Sequence, residues 1–210
     1  MSSHPYSADE FRRRALQQAG GPIETSWRDH GDFLLNPGIV SYLESLHLKD
    51  AAVLVPVVDD GEDASVIFTQ RTSNLRKHSG QVAFPGGAVD PEDHSIEVAA
   101  LREAEEEIGL DPRFVETVAR LPHYMAMSGF RITPVLAVVQ PGFVLEPNPE
   151  EVESVFEVPL SFLMNPRNHG RGSSHWRGAE RHFYRMPYGE RNIWGITAGI
   201  VRMLYERLYA

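Results

Sequence analysis

The sequence predicts an α/β protein in which helices cover both faces of a mixed β-sheet. Two β-rich runs, 51–58 and 65–71, come before an amphipathic stretch at 95–108, and more β-rich runs separate that stretch from another at 197–208. Strands and helices thus interleave without strict βαβ repetition, which favours a mixed sheet over an all-parallel one. With 210 residues, 42% of them hydrophobic, the chain suits one domain spanning 1–210.

The N-terminal residues 1–48 are predicted to form a helical extension, with helices near 9–18 and 38–48. The runs 51–58 and 65–71 are joined by a segment with an Asp-Gly turn signal, which indicates a β-hairpin. A short strand is expected at 81–84, and Pro85-Gly86-Gly87 is expected to be a loop because of its composition. Further strands are predicted at 114–121, 131–139, 154–159 and 181–188, before the helix at 197–208 that ends the chain.

The helix at 95–108 is the strongest local prediction. Asp93 or Ser95 can cap its N-terminus, and Gly109 stops it. At 100° per residue, Leu101, Ala104 and Ile108 form one apolar stripe that can pack against a sheet.

Composition excludes several classes of protein. The chain has no cysteine, so it has no disulfide, no thiolate nucleophile and no Cys-ligated zinc, and any metal must bind Asp, Glu or His. The longest uncharged apolar run, 51–58, is too short to cross a membrane. A net charge of -9 disfavours nucleic-acid binding. Because the first residues lack the pattern of a secretory signal, we expect a cytoplasmic protein.

Most of the negative charge lies between residues 90 and 107, where eight acidic residues and one arginine give a net charge of -7. Spacings of three and four residues place Glu103, Glu106 and Glu107 on one side of the helix, about 5–6 Å apart at Cβ. Carboxylates in this arrangement suit a hard divalent cation such as Mg²⁺ or Mn²⁺. The alternative from the residues alone is a solvated helix face without a ligand.

The run Arg102-Glu103-Ala104-Glu105-Glu106-Glu107-Ile108-Gly109-Leu110 resembles the second half of the Nudix box, with the box at about 87–110. The resemblance implies a Nudix-type α/β/α sandwich. It also implies that Glu103, Glu106 and Glu107 are ligands of Mg²⁺ or Mn²⁺ and that Arg102 orients a ligating carboxylate. The first half departs from the usual pattern: Asp93 replaces a Glu, and the segment before Arg102 is one residue longer. Glu97 is either the partner of a base or a sign that the helix begins later.

The segment 69–87 resembles the signature of the coenzyme A pyrophosphatase branch of that family. The resemblance implies a small-molecule substrate, and hydrolysis of the pyrophosphate of coenzyme A or its derivatives to adenosine 3′,5′-bisphosphate and 4′-phosphopantetheine or its acyl form. The general base is one of the box glutamates or a later residue such as Glu150 or Glu151. The expected substrate-binding residues are Arg71, Arg76, His78, Gly86 and Gly87, with cationic donors placed for an anionic substrate.

Two other activities remain open. One is a Nudix pyrophosphatase for ADP-ribose, NADH or another nucleoside diphosphate derivative, and the other is a Nudix module that senses a nucleotide without cleaving it. The sequence also leaves a homodimer open.

The C-terminal segment 165–210 begins with a basic stretch, which we expect to be a surface loop. The alternative is that it contacts a substrate phosphate or adenine, with Trp176 as a stacking surface. Met125 and Met127 either line a channel for the pantetheine arm or pack in the core.

Overall fold

A computed structural model describes residues 4–72, 80–176 and 178–210, and it confirms the mixed sheet with helices on both faces. The helices are α1 (Ala8–Leu16), α2 (Val40–Glu44), α3 (Ile96–Ile108), α4 (Leu160–Leu163) and α5 (Gly195–Leu208). Single 3₁₀ turns lie at Ser26–Asp29, Gly31–Phe33, Pro37–Ile39, Pro112–Phe114 and Pro166–Asn168. The strands are β1 (Lys49–Val58), β2 (Ser65–Arg71), β3 (Val82–Ala83), β4 (Gly86–Ala88), β5 (Val115–Arg120), β6 (Tyr124–Ala126), β7 (Phe130–Val139), β8 (Val152–Pro159), β9 (Gly170–Trp176), β10 (Ala179–Tyr188) and β11 (Arg191–Trp194).

The main sheet is built around β1 and β7, which pair in parallel along their whole length. Its order is β3-β2-β1-β7-β5, with β8 beside β2, β6 beside β7 and β4 beside β1. The predicted hairpin is confirmed, since β1 and β2 are antiparallel and Val57 faces Val66. The other end of β1 pairs with β4 instead, where Ala52 faces Gly87. The glycines therefore lie where β1 has separated from β2.

Alternate residues of β1 face two different helical layers. Val55 and Val57 pack with α1 and α5 on one side of the sheet, whereas Ala52 and Leu54 pack against α3 on the other. This alternation follows from the period of two in a β-strand. The main sheet is thus buried between the two layers.

Helix α3 has the predicted ends. Of the two cap candidates, Ser95 is the N-cap, and its hydroxyl accepts the backbone N–H of Val98 at 3.2 Å. Gly109 ends the helix with a left-handed φ of 67°, a conformation that favours glycine. Ala99 and Ala100 are buried. Small side chains here bring the helix axis close to the sheet.

Two predictions about loops were wrong. Gly86 and Gly87 lie in β4, because backbone pairing with β1 needs no side chain. The basic stretch contains β9, which pairs with β10 from Trp176↔Ala179 to Gly170↔Arg185 in a small antiparallel sheet completed by β11. Strands that are exposed along much of their length need not show the alternating apolar pattern of a buried strand.

In the described parts of the chain, we find no helix whose length and apolar content would allow it to span a membrane.

Candidate active site

Glu107 anchors the site by burying its carboxylate against β4. Its side chain is only 4% exposed; it accepts the backbone N–H of Gly86 at 3.0 Å and is 3.2 Å from Nη1 of Arg71. Burial raises the pKa of Glu107 to about 7, although the Gly86 hydrogen bond and the charge of Arg71 oppose that rise. The alternative prediction, a solvated helix face without a ligand, is therefore wrong for Glu107.

Glu103 lies one turn earlier, and its carboxylate rests directly on the backbone of Gly87. A Cβ atom at Gly87 would lie 2.5 Å from Cδ of Glu103, closer than real Cβ contacts. At Gly86, a Cβ atom would lie 2.6 Å from the Cα atom of Val53. Hence Gly87 allows the close approach of a carboxylate, whereas Gly86 allows the close approach of two strands.

Arg102 connects two of the box glutamates to the loop before the helix. Its Nη1 donates to Glu103 at 3.0 Å and to Glu106 at 3.1 Å, while Nη2 donates to the carbonyl of Ala88. Nε and Nη2 bind the two carboxylate oxygens of Asp93 at 3.1 and 2.9 Å. The side chain of Asp93 thus reaches Arg102, although Asp is shorter than the Glu usual in this motif. The segment before Arg102 is also one residue longer than in the usual pattern.

Of the cationic residues predicted to bind substrate, Arg71 lies within the described residues, and it is next to the carboxylates. It contacts Glu107, and its Nη2 lies 4.0 Å from Glu151. Of the two later glutamates, Glu151 is therefore the one that faces the site. The predictions for Arg76 and His78 lie outside the described residues.

Glu97 has a partner away from the site. Its two oxygens accept from Nε and Nη2 of Arg120 at 2.5 and 2.7 Å. This hydrogen-bonded pair lowers the pKa of Glu97 to about 2. The first alternative was thus right: Glu97 is the partner of a base, and the helix does not begin later.

The donors present at the site fit a hard divalent cation. They are carboxylate oxygens, and burial raises the pKa of Glu103 while the neighbouring charges of Glu106 and Glu151 add to the rise. A cation bound among these groups would offset their repulsion. Among the described residues, no three acidic or histidine side chains are arranged as a complete metal site, and Glu106 is held by Arg102.

A cavity of about 520 Å³ extends from the glycines over the opposite face of the sheet from α3. Arg71, Gly86 and Gly87 line it, and most of its remaining wall is apolar. The wall residues of α5 could not be recognised as site residues from their sequence pattern, because they belong to the apolar face of an amphipathic helix. The main apolar wall residues are Val53, Phe84, Phe130, Ile132, Ile196 and Ile200.

Comparisons with known proteins match the same region. A model of the NUDIX domain matches residues 48–176. The uncharacterized Nudix hydrolase NudL of Citrobacter koseri is 42% identical over 161 residues, which cover 77% of this chain and 83% of NudL. NudL of Escherichia coli O1:K1 / APEC is 40% identical over the same shares of both chains. The crystal structure of DR0079 from Deinococcus radiodurans has a similar fold, with a TM-score of 0.50 and 14% identity over 77% of this chain and 86% of that one.

Proposed function

Since the chain belongs to the Nudix hydrolase family, we propose that it hydrolyses the pyrophosphate bond of coenzyme A or its derivatives. The products are adenosine 3′,5′-bisphosphate and 4′-phosphopantetheine, or its acyl form. Support for the choice of substrate comes first from segment 69–87, which resembles the coenzyme A pyrophosphatase signature.

The cavity beside Gly86 and Gly87 has a mostly apolar wall, and this wall is the main structural support for coenzyme A as the substrate. Coenzyme A joins its pyrophosphate to a long arm with a gem-dimethyl group and methylenes, which can bury apolar surface there. ADP-ribose and NADH carry a polyhydroxylated ribose at the same point. Their hydroxyls would lose water without sufficient partners against such a wall.

We assign metal binding to Glu103, Glu106 and Glu107. Arg102 holds two of these carboxylates, and Asp93 fixes the guanidinium from its other side. The chemistry that Mg²⁺ or Mn²⁺ supplies when bound is neutralisation of phosphate charge and activation of a water molecule. Arg71 keeps Glu107 in place and presents its guanidinium to the cavity, where it can donate to a phosphate oxygen.

Glu151 is our candidate for the general base, because it faces the site without belonging to the proposed ligand set. Its carboxylate accepts the proton of the attacking water while the new P–O bond forms. The bridging P–O bond then breaks, and the second phosphate leaves as a monoester. A Glu151→Gln variant should lose about 10²-fold in kcat through the base, whereas Glu150→Gln serves as the matched control on the same loop.

The test of the substrate is a side-by-side assay of coenzyme A, ADP-ribose and NADH with Mg²⁺ or Mn²⁺, with products separated by chromatography. We expect kcat/KM for coenzyme A to exceed the other two by at least about tenfold, with adenosine 3′,5′-bisphosphate as a product. A preference for ADP-ribose or NADH would overturn the substrate assignment. Calorimetric binding of these nucleotides with no product released would indicate a sensing module instead.

A further inference from the structure

A second cavity, of about 690 Å³, lies beside the last residues of β5. Its wall is formed by the end of α1, the loop at 18–24, the end of β5 and Arg207 near the end of α5. Among the described residues, it shares no wall residue with the cavity beside the glycines of β4. Ile132 lines that first cavity and Thr133 lines the second. The two cavities therefore lie on opposite faces of β7, because neighbouring residues of a strand point to opposite sides.

Arg207 brings into this wall a positive charge that no described carboxylate balances. The residue is only 4% exposed. Burial lowers the pKa of Arg207, and no neighbouring carboxylate among the described residues opposes that effect. An arginine is rarely buried to this extent without a partner of opposite charge. The wall of the second cavity therefore holds an uncompensated cation.

The hydrogen bonds of Arg207 fix one side of its guanidinium and leave the other side open. Nε donates to the side chain of Gln18 at 3.2 Å, and Nη1 donates to the carbonyl of Gly21 at 3.0 Å. Nη2 donates to no residue that the structure describes. In the described chain, the unpartnered polar atoms that are fully enclosed are Nε of Arg181 and Oη of Tyr209, so Nη2 of Arg207 keeps accessible surface. Because Arg207 lines the cavity, this N–H group can donate to an anion there.

Two more donors line the second cavity. Arg120 uses Nε and Nη2 to bind Glu97, and its Nη1 has no acceptor in the described part of the chain. Nδ1 of His123 lies 3.0 Å from the hydroxyl of Thr133, so Nε2 carries the hydrogen when Thr133 donates. The charges of Arg120 and Glu24 both act on His123, which shows that these side chains are close together. Glu24 is the one carboxylate among the described wall residues, so nitrogen donors outnumber carboxylates in this wall.

We infer that the second cavity is a binding site for a small organic phosphate monoester, separate from the candidate active site. A guanidinium group suits phosphate oxygens, and an anion would balance the charge of Arg207. The volume of about 690 Å³ is more than inorganic phosphate fills and suits a small organic ligand. The carbon skeleton of that ligand would lie against Leu16, Ile23 and Ala119, which form an apolar part of the wall. This inference does not depend on the substrate of the candidate active site.

The test is a titration of the metal-free protein with inorganic phosphate, ribose 5-phosphate and ribose at constant ionic strength. The readout is the NMR signal of the His123 imidazole, because this ring lines the second cavity. We expect both phosphates to shift the signal, with tighter binding of ribose 5-phosphate, and we expect no shift with ribose. No shift with either phosphate, or an equal shift with ribose, would overturn the inference. Equal affinities for the two phosphates would overturn the assignment of an organic ligand.

Two substitutions should change the affinity for ribose 5-phosphate in opposite directions. Arg207→Gln should weaken binding by at least about tenfold, because it removes the uncompensated cation. Glu24→Gln should tighten binding by about threefold, because it removes a repulsive charge from the wall. Glu24 is exposed, so this variant should fold even if Arg207→Gln does not. Glu62→Gln removes the same charge from the exposed turn between β1 and β2 and should leave the affinity unchanged. An unchanged affinity in Glu24→Gln, or in folded Arg207→Gln protein, would overturn the inference.

Discussion

Adding a single methyl group at Gly87 should lower the catalytic rate and leave the free energy of unfolding nearly unchanged. In Gly87→Ala, the new Cβ atom would lie 2.5 Å from Cδ of Glu103, whereas ordinary contact begins at 3.4 Å. The carboxylate must therefore move by about 1 Å, and a displacement of that size costs about 10²-fold in rate, or about 2.7 kcal/mol of transition-state stabilisation. The contact is with the end of a flexible side chain, so the free energy of unfolding should change by less than about 1 kcal/mol.

Gly86→Ala is the matched control, because its methyl group meets backbone instead. The Cβ atom would lie 2.6 Å from the Cα atom of Val53, and Gly86 has a φ of 153°. This substitution should lower the free energy of unfolding by more than about 2 kcal/mol. The assays are kcat/KM with Mg²⁺ and urea unfolding of both variants. If Gly87→Ala kept its activity within about threefold, the assigned position of Glu103 would be wrong.

Three further predictions concern carboxylates. Glu103→Gln and Glu107→Gln should each reduce turnover by at least about 10²-fold while circular dichroism shows an intact fold, and near-native turnover would refute the ligand assignment. Glu97→Gln should lower the free energy of unfolding by about 1 kcal/mol at pH 7. This loss should vanish as the pH falls from 4.5 toward 2, because the pKa of Glu97 is about 2 in the folded state. A loss that does not depend on pH would contradict the ion pair of Glu97 with Arg120. Burial raises the pKa of Asp32 from its ordinary 3.8 to about 6. Ionisation of Asp32 therefore lowers the free energy of unfolding progressively between those two pH values, and the full cost is present above pH 6. Asp32→Asn should stabilise by about 1–3 kcal/mol at pH 7.5 and not at pH 4, and equal urea midpoints of variant and wild type at pH 7.5 would show that the charge costs nothing.

The sequence was sufficient for α3 because every signal there is local. The cap at Ser95, the stop at Gly109 and the spacing of the glutamates all lie within one helix. The pairing of β1 with β2 was also predictable, since a short turn joins two apolar runs. Local patterns of this kind determine an element without information from distant residues.

The partners of the site residues could not be derived from the sequence. Arg120 is 23 residues from Glu97, and Glu151 is brought to Arg71 by the pairing of β8 with β2. The composition of Gly86-Gly87 predicted a loop, because glycine carries no side-chain pattern to mark a strand. In the folded chain these residues pair with β1 and leave room for Glu103. Such contacts depend on register and on which groups become buried, and no local pattern encodes them.

We propose that the glutamates of α3 gather a divalent cation beside the glycines of β4. Titration of Mn²⁺ followed by electron paramagnetic resonance, with the metal alone, tests it without a substrate. We predict that Glu103→Gln and Glu107→Gln each weaken Mn²⁺ binding by at least about tenfold relative to wild type, because each removes a ligand. Glu105→Gln removes the same charge from an exposed position of the same helix and should leave the affinity unchanged. Equal affinities for wild type, Glu103→Gln and Glu107→Gln would contradict the account.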